Sequence, residues 1–163
     1  MNNLISIIVG SESDLEYVRS CSKVLKDFSV EHSIKVLSAH RTPSLLGEHI
    51  KSSEEEGVQV FIAMAGLAAH LAGSVASKTT RPVIGVPVDG GPLKGFDALL
   101  STVQMPKGIP VGTVAIGSSG AVNAAYLGLQ ILGLNSEDIA NQLNSLREEQ
   151  LKSAEEINKK IET

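Results

Sequence analysis

Five short apolar runs, rich in β-branched residues, recur along the chain and alternate with longer segments of mixed polarity. The runs occupy residues 4–9, 33–37, 58–63, 83–86 and 111–116. They are continuous rather than alternating, which is typical of strands buried on both faces of a parallel sheet. The segments that follow them predict helices over residues 14–28, 43–56, 67–79, 93–103, 119–133 and 136–161. This order predicts an α/β fold with a five-stranded parallel sheet and right-handed crossovers.

The 163 residues are most simply one domain, with a core over about 4–133 and a long C-terminal helix over about 136–161. The segment 119–133 is apolar or small nearly all round, and a helix of that kind must be covered on most sides. A chain of this size can hardly cover it alone. We therefore expect a homo-oligomer.

Composition narrows the classes of partner. Aromatic residues make up 3% of the chain and the formal net charge is −4, so we expect neither nucleic acid nor an anionic membrane surface as a partner. The single cysteine, Cys21, reads as a small buried hydrophobe in a reducing compartment, and no basic segment of a signal peptide begins the chain. These features predict a cytoplasmic protein.

Two long uncharged stretches, residues 58–77 and 108–134, are long enough to span a membrane. Glycines break each stretch after a short β-branched run, as in a buried strand followed by a buried helix. We therefore expect no transmembrane segment.

Ligands of open parallel sheets bind beyond the carboxyl ends of the strands, so the turns that leave each strand are the places to look for function. The first turn reads GSESD, residues 10–14. Ser11, Ser13 and Asp14 place two hydroxyls and a carboxylate at the start of a helix, a combination that suits a ribose phosphate. Ser13 and Glu16 also fit a capping box, which would serve the helix alone. The two interpretations are evenly balanced.

The second turn reads SAHRTP, residues 38–43. Thr42 and Pro43 are a suitable N-cap and first-turn pair, so His40 and Arg41 fall just before the next helix. Arg41 can bind a phosphate or carboxylate through two parallel hydrogen bonds, and His40 can give and take a proton near neutral pH. Without further context, the favoured interpretation is a surface histidine–arginine pair in a solvated loop.

The third turn reads AGLAAHLAG, residues 65–73, where Gly66 allows close backbone approach. His70 is the only polar side chain in this apolar segment, and such a histidine is more often structural than catalytic. His49 looks structural on its helix, and His32 is expected in a connecting loop. The chain has no zinc-ligand spacing, P-loop or dinucleotide fingerprint, so no metal or nucleotide cofactor is indicated.

Taken together, the ordered blocks closely resemble the class I N5-carboxyaminoimidazole ribonucleotide mutase family over residues 5 to 133. The blocks are GSESD, SAHRTP, AGLAAHLAG, GVPV and LLSTVQMPKGIPVGTVAIG. The resemblance implies an octamer of three-layer, flavodoxin-like subunits. It also implies transfer of a carboxylate from the exocyclic nitrogen to a ring carbon of an aminoimidazole ribonucleotide, without metal, ATP or other cofactor.

Site residues follow from the resemblance by position. His40 matches the family's general acid and base. The positions that match substrate contacts are Ser11, Ser13, Asp14, Ser38, Arg41, Gly66 and His70. One histidine can suffice, since decarboxylation delivers a proton to nitrogen and recarboxylation removes one from carbon. Released CO2 must not escape, and we expect glycine-rich backbone and loops near 89–95 and 104–110 to close the pocket.

The chain departs from the family pattern at a few positions. Leu67 stands where glycine is common, Ala72 where proline is common, and Gly90 and Gly91 where larger side chains are expected. Two other functions remain open at this point. One is a class II carboxylase that uses free CO2, and the other is a non-catalytic flavodoxin-like binding module.

Overall fold

A computed structural model describes residues 4–161. Its centre is a five-stranded sheet, all parallel, with the order β2-β1-β3-β4-β5. The strands are β1 (Ile5–Val9), β2 (His32–Val36), β3 (Val60–Ala65), β4 (Val83–Pro87) and β5 (Gly112–Thr113). The predicted α/β class with a parallel sheet is confirmed.

Helices flank both faces of this sheet. The helices of the described chain are α1 (Leu15–Asp27), α2 (Pro43–Glu55), α3 (Leu71–Ala76), α4 (Phe96–Val103), α5 (Gly117–Gly133) and, in the second compact unit described below, α6 (Glu137–Ile161). Neighbouring residues of a strand point to opposite faces. Ser6 of β1 bonds to His49 of α2 on one face, whereas Ile5 packs against Gly128 of α5 on the other. The fold is therefore a flavodoxin-like, three-layer α/β arrangement.

The sheet interior agrees with the apolar runs of the sequence. Every residue of β1 and β4 is buried, and so are the first five residues of β3. Gly85 in β4 allows Thr102 of α4 to pack against the strand, because a Cβ there would collide with the Thr102 methyl group. Cys21 is buried as predicted, and burial raises the pKa of its thiol to about 12.

The edge strands differ from expectation. β5 is only two residues long, although the apolar run covers residues 111–116, because the chain pairs with β4 at just two positions before turning into α5. β2 is not covered on both faces, since Ile34 is 43% and Val36 49% exposed. His32 lies within β2 rather than in a loop, and it bonds to the Ser22 hydroxyl at 2.7 Å.

The main helix error concerns α3, which begins at Leu71 instead of residue 67. Leu67 has a φ of +55°, in the left-handed region, and this conformation cannot continue a right-handed helix. Residues 66–70 therefore form a turn that precedes α3. This change matters because it moves the side chain of His70 to the rim of a pocket.

The chain divides into two compact units. One extends to Gly128 and contains the sheet, and the other runs from Leu129 and contains the end of α5 and all of α6. The single-domain organisation over residues 1–163 stays a prediction. Across residues 4–161, no helix has the length and apolar character needed to cross a lipid bilayer.

Candidate active site

A cavity of about 670 Å³ opens at the carboxyl edge of the sheet. Four turns line it, those that leave β1, β2, β3 and β4. β1 lies between β2 and β3 in the sheet, so the connections that leave β1 and β2 run in opposite directions across it. A crevice forms where the turns after these strands separate, as in other doubly wound sheets. All the predicted site residues line this cavity: Ser11, Ser13, Asp14, Ser38, His40, Arg41, Gly66 and His70.

The first turn is organised by Ser11. Its hydroxyl caps a short 3-10 helix, Glu12–Asp14, by accepting from the backbone N–H of Ser13. The Ser13 hydroxyl lies 3.0 Å from the Ser11 hydroxyl and 3.2 Å from a carboxylate oxygen of Asp14. Asp14 itself takes the N-cap position of α1 but makes no side-chain capping bond there. The capping-box interpretation is therefore wrong, and the polar atoms of this turn face the cavity.

Asp14 is unusual because it is a nearly buried carboxyl group, only 8% exposed, that lines the cavity. Burial raises its pKa above the ordinary value, and hydrogen bonds from the Ser13 side chain and the Ser11 backbone partly oppose that shift. A carboxylate held in this way lacks part of its solvation. It is suited to accept hydrogen bonds from the hydroxyls of a ligand.

The second turn is held by its own hydrogen bonds. The Thr42 hydroxyl donates to the Ser38 carbonyl at 3.1 Å and accepts from the Ser38 N–H at 2.9 Å. The Ser38 hydroxyl accepts from the Arg41 N–H at 3.2 Å. Pro43 then begins α2, as predicted, although the Thr42 side chain bonds back into the turn and does not cap the helix. The result is a closed turn that presents His40 and Arg41 to the cavity.

Arg41 connects the second turn to the first. Its guanidinium donates through Nη2 to the carbonyl of Gly10 at 3.0 Å. A guanidinium has five N–H donors in a planar fork, so the remaining donors can serve an anionic ligand. This bond orients the side chain without neutralising its charge.

The third turn brings His70 to His40. His40 Nε2 and His70 Nδ1 are 2.8 Å apart, and the rings meet edge to face with centroids 4.9 Å apart. Both imidazoles are exposed to the cavity. His70 is therefore not a core histidine, because its ring lies at the cavity and bonds to the imidazole of His40. Gly66 beside it packs closely on the fourth turn, since a Cβ there would lie 3.3 Å from the Val88 carbonyl.

Two contacts of the fourth turn were missed by the sequence analysis. The Tyr17 hydroxyl of α1 donates to Asp89 at 2.5 Å, and this bond is the main reason why the pKa of Tyr17 is raised to about 12. Leu67 lines the cavity opposite Gly91. The partners in the first contact are separated by 72 positions, and no local pattern could have linked them.

Residues 104–110 do not line the cavity in the described part of the chain. Met105 packs against α3, with its sulfur 3.3 Å from where a Cβ of Gly73 would lie. Closure of the pocket by this loop stays a prediction. Residues 4–161 also contain no group of three or more His, Cys, Asp or Glu side chains arranged to hold a metal ion. The polar side chains that line the cavity supply two imidazoles, one guanidinium, one carboxyl group and several hydroxyls.

His49 has a structural environment, as predicted. Its Nε2 lies 2.9 Å from the hydroxyl of Ser6, beneath the sheet, and the hydroxyl of Ser6 accepts from Ser33 at 3.1 Å. Burial lowers the pKa of His49, and the nearby charge of Lys35 adds to that effect. This histidine does not line the cavity.

Comparison with known proteins gives a consistent result. A family model described as AIR carboxylase matches residues 4–153. The N5-carboxyaminoimidazole ribonucleotide mutase of Methanocaldococcus jannaschii is 52% identical over 158 residues, which is 97% of this chain and 97% of that protein. The protein of the same name from Bacillus subtilis is 50% identical over 148 residues, 91% of each. The crystal structure of Treponema denticola PurE superposes with a TM-score of 0.89 at 28% identity, over 98% of each chain.

Proposed function

The chain belongs to the AIR carboxylase family, and we propose that it is an N5-carboxyaminoimidazole ribonucleotide mutase of purine biosynthesis. The substrate carries a carboxylate on its exocyclic nitrogen, and the product carries it on a ring carbon. The observation that carries this proposal is that His40, Arg41 and Asp14 line one cavity. It is supported by sequence identity, since about half of the aligned residues are identical to those of proteins with that name. The enzyme is thus a mutase, which is an isomerase.

Binding of the nucleotide is assigned to the first two turns. Arg41 and the N-terminal end of α1 hold the phosphate, because both offer positive electrostatic potential. Asp14 accepts hydrogen bonds from the ribose hydroxyls. The hydroxyls of Ser11, Ser13 and Ser38 complete this polar wall, and the packed backbone of Gly66 lets the ring approach the third turn.

His40 is the proton carrier in this proposal. The bond between the exocyclic nitrogen and the carboxylate carbon breaks, CO2 forms, and the nitrogen keeps the electron pair and takes a proton from His40. The ring carbon then forms a bond to CO2, and its proton returns to His40. No proton is gained or lost overall, so no external acid or base is needed. The contact with His70 supports this role, because it holds the His40 imidazole at the cavity.

A homo-octamer in the cytoplasm is part of the proposal. Exposed apolar side chains on one side of α4 support this assembly: Phe96, Leu100 and Val103 are each at least 46% exposed. These side chains are spaced at helical intervals and form a stripe. Within one chain α5 also keeps several half-exposed residues, so its complete burial requires another subunit.

The decisive experiment compares two substrates with the same purified protein. With N5-carboxyaminoimidazole ribonucleotide alone, in the presence of a chelator and without bicarbonate or ATP, we expect steady formation of the carbon-linked carboxylate. Turnover only when aminoimidazole ribonucleotide and bicarbonate are supplied would instead identify a carboxylase that uses free CO2. No turnover with either substrate, together with an intact fold, would support the non-catalytic module.

A further inference from the structure

Leu67 occupies a position that folding stability does not explain. Its φ of +55° lies in the left-handed region, which is costly for L-residues because the Cβ comes too close to the following carbonyl oxygen. Its side chain is also 55% exposed, so little apolar burial offsets that cost. Ser29 and Lys94 are the other non-glycine residues with positive φ within residues 4–161, and Leu67 alone of the three lines the cavity. Strain kept at a cavity points to a role in function.

The Leu67 side chain spans the gap between the third and fourth turns. A Cβ placed on Gly91 would collide with Leu67 Cδ2 and lie 3.8 Å from its Cγ. The isobutyl group therefore lies directly over the backbone of Gly91, where the absence of a side chain leaves room for it. Gly91 itself has a φ of +77° and also lines the cavity.

The cavity wall differs in polarity from one side to the other. The first two turns supply nearly all of its hydroxyl and charged groups. The turns after β3 and β4 supply mainly apolar atoms. Within residues 4–161, His70 is the one polar side chain that these two turns place at the cavity. Their other lining residues are Ala65, Gly66, Leu67, Ala68, Leu71, Val88, Gly90 and Gly91. His40 and His70 meet at the boundary between the two regions.

A small apolar intermediate fits the second region. In the proposed reaction the carboxylate is briefly free CO2, which is uncharged and bonded neither to nitrogen nor to carbon. Ionic groups cannot hold such a molecule, so it stays only if the surrounding walls block its exit and exclude water. The contact between Leu67 and Gly91 closes the apolar wall at the point where two turns would otherwise leave a gap.

We propose that Leu67 retains CO2 between its release from nitrogen and its capture by the ring carbon, with Gly91 providing the surface against which its side chain closes. This inference rests on the proposed mutase function. In this proposal Leu67 controls the partition of CO2 between recapture by the ring carbon and escape to solvent. It does not bind the nucleotide or transfer a proton.

The test measures that partition in the full-length protein. Leu67→Gly removes the side chain and also relieves the backbone strain, so the variant should fold. The substrate is unlabelled N5-carboxyaminoimidazole ribonucleotide, supplied in buffer that contains ¹³C-bicarbonate and carbonic anhydrase. We expect the labelled fraction of the product to be about tenfold higher than with the native protein. This change corresponds to a barrier to CO2 escape that is lower by about 1.4 kcal/mol. Leu45→Ala is the matched control, because Leu45 is 53% exposed and lies outside the cavity lining.

The outcomes separate the two proposals. An active Leu67→Gly variant with the labelling of the native protein overturns the retention role and leaves the mutase assignment intact. Native protein that does not convert the substrate overturns the mutase assignment, and the retention role falls with it.

A second set of variants tests the contact itself. Gly91→Ala should reduce turnover for two reasons. The new methyl group collides with Leu67, and the alanine backbone is strained at a positive φ. Gly108→Ala carries the same kind of strain, at a φ of +95°, but has open space around its Cβ, so it isolates the backbone effect. We expect the double variant Leu67→Gly, Gly91→Ala to regain turnover relative to Gly91→Ala. Failure to regain it contradicts the proposed contact.

Discussion

The Nε2 atom of His40 lies 2.8 Å from the Nδ1 atom of His70. One proton fits between these nitrogens, because two N–H groups cannot point at each other. The tautomers and ring orientations of the two imidazoles are therefore linked. In the proposed mechanism, this contact presents the His40 imidazole to the substrate in a fixed orientation.

His40→Asn should remove turnover and leave nucleotide binding and fold intact. Asparagine keeps polar atoms in the turn but cannot carry a proton, so kcat should fall by about 10²–10⁴-fold. Single-turnover kinetics and product-nucleotide binding by calorimetry measure the two effects separately. A variant with even a tenth of native activity would show that His40 is not the obligatory proton carrier.

His70→Asn should act through His40. An amide in place of the ring keeps a hydrogen-bonding group near His40 but cannot pass a proton to it, so kcat should fall about tenfold with little change in KM. Steady-state kinetics measure the two constants separately, and urea denaturation measures stability. A loss of kcat matched by a loss of stability would assign His70 a purely structural role.

Arg41→Ala should mainly weaken substrate binding. The loss of charge-assisted hydrogen bonds costs about 1.5–3 kcal/mol, which corresponds to a rise in KM of about 10- to 100-fold. Arg81→Ala is a suitable control, since Arg81 is exposed and does not line the cavity. Native KM in the Arg41 variant would remove this residue from the phosphate site.

Asp14→Asn should separate stability from function. Because burial raises the pKa of Asp14 in the folded protein, the folded state binds more protons than the unfolded state between pH 3.8 and the raised value. Its contribution to stability is therefore fully present at low pH and is lost as the pH rises through the folded pKa. The variant should be at least as stable as the native protein at pH 7, by urea denaturation, yet bind the nucleotide at least about tenfold more weakly. Lower stability would show that the charged form is favourably paired.

His49 should make the fold sensitive to mild acid. Its pKa is lowered in the folded state by burial, so the unfolded state binds more protons between the lowered value and 6.5. Stability should decline as the pH falls through this window, and His49→Gln should flatten the decline. Urea midpoints at pH 7.5, 6.5 and 5.5 measure it, and parallel curves for both proteins would exclude His49 as the cause.

The sequence correctly predicted the strands that are buried along nearly their whole length. β1, β3 and β4 are enclosed on both faces, so burial alone selects a continuous apolar run, and Pro43 marks the start of α2 locally. The run at 111–116 looked the same, but its pairing depends on how the chain leaves β4. The sequence predicts a helix for the segment before His70, because Ala and Leu have high helix propensity. In the structure the left-handed backbone of Leu67 makes this segment a turn instead.

Within the site, the motifs located the side chains but could not specify their partners. GSESD, SAHRTP and AGLAAHLAG identified the turns because each follows a buried strand. The bond between His40 and His70 joins positions that are 30 apart, and the bond between Tyr17 and Asp89 joins positions that are 72 apart. Such contacts follow from the order of the strands, which local patterns do not encode.

The central position of β1 has a consequence for how the enzyme forms. Ile5 pairs with His32 on one side and with Val60 on the other, so both pairings bring together segments that are distant along the chain. Closing such long loops is slow, and it must precede the meeting of the first three turns. During refolding, helical signal should therefore return before catalytic activity, and the recovery of turnover should report the completed β2-β1-β3 centre of the sheet.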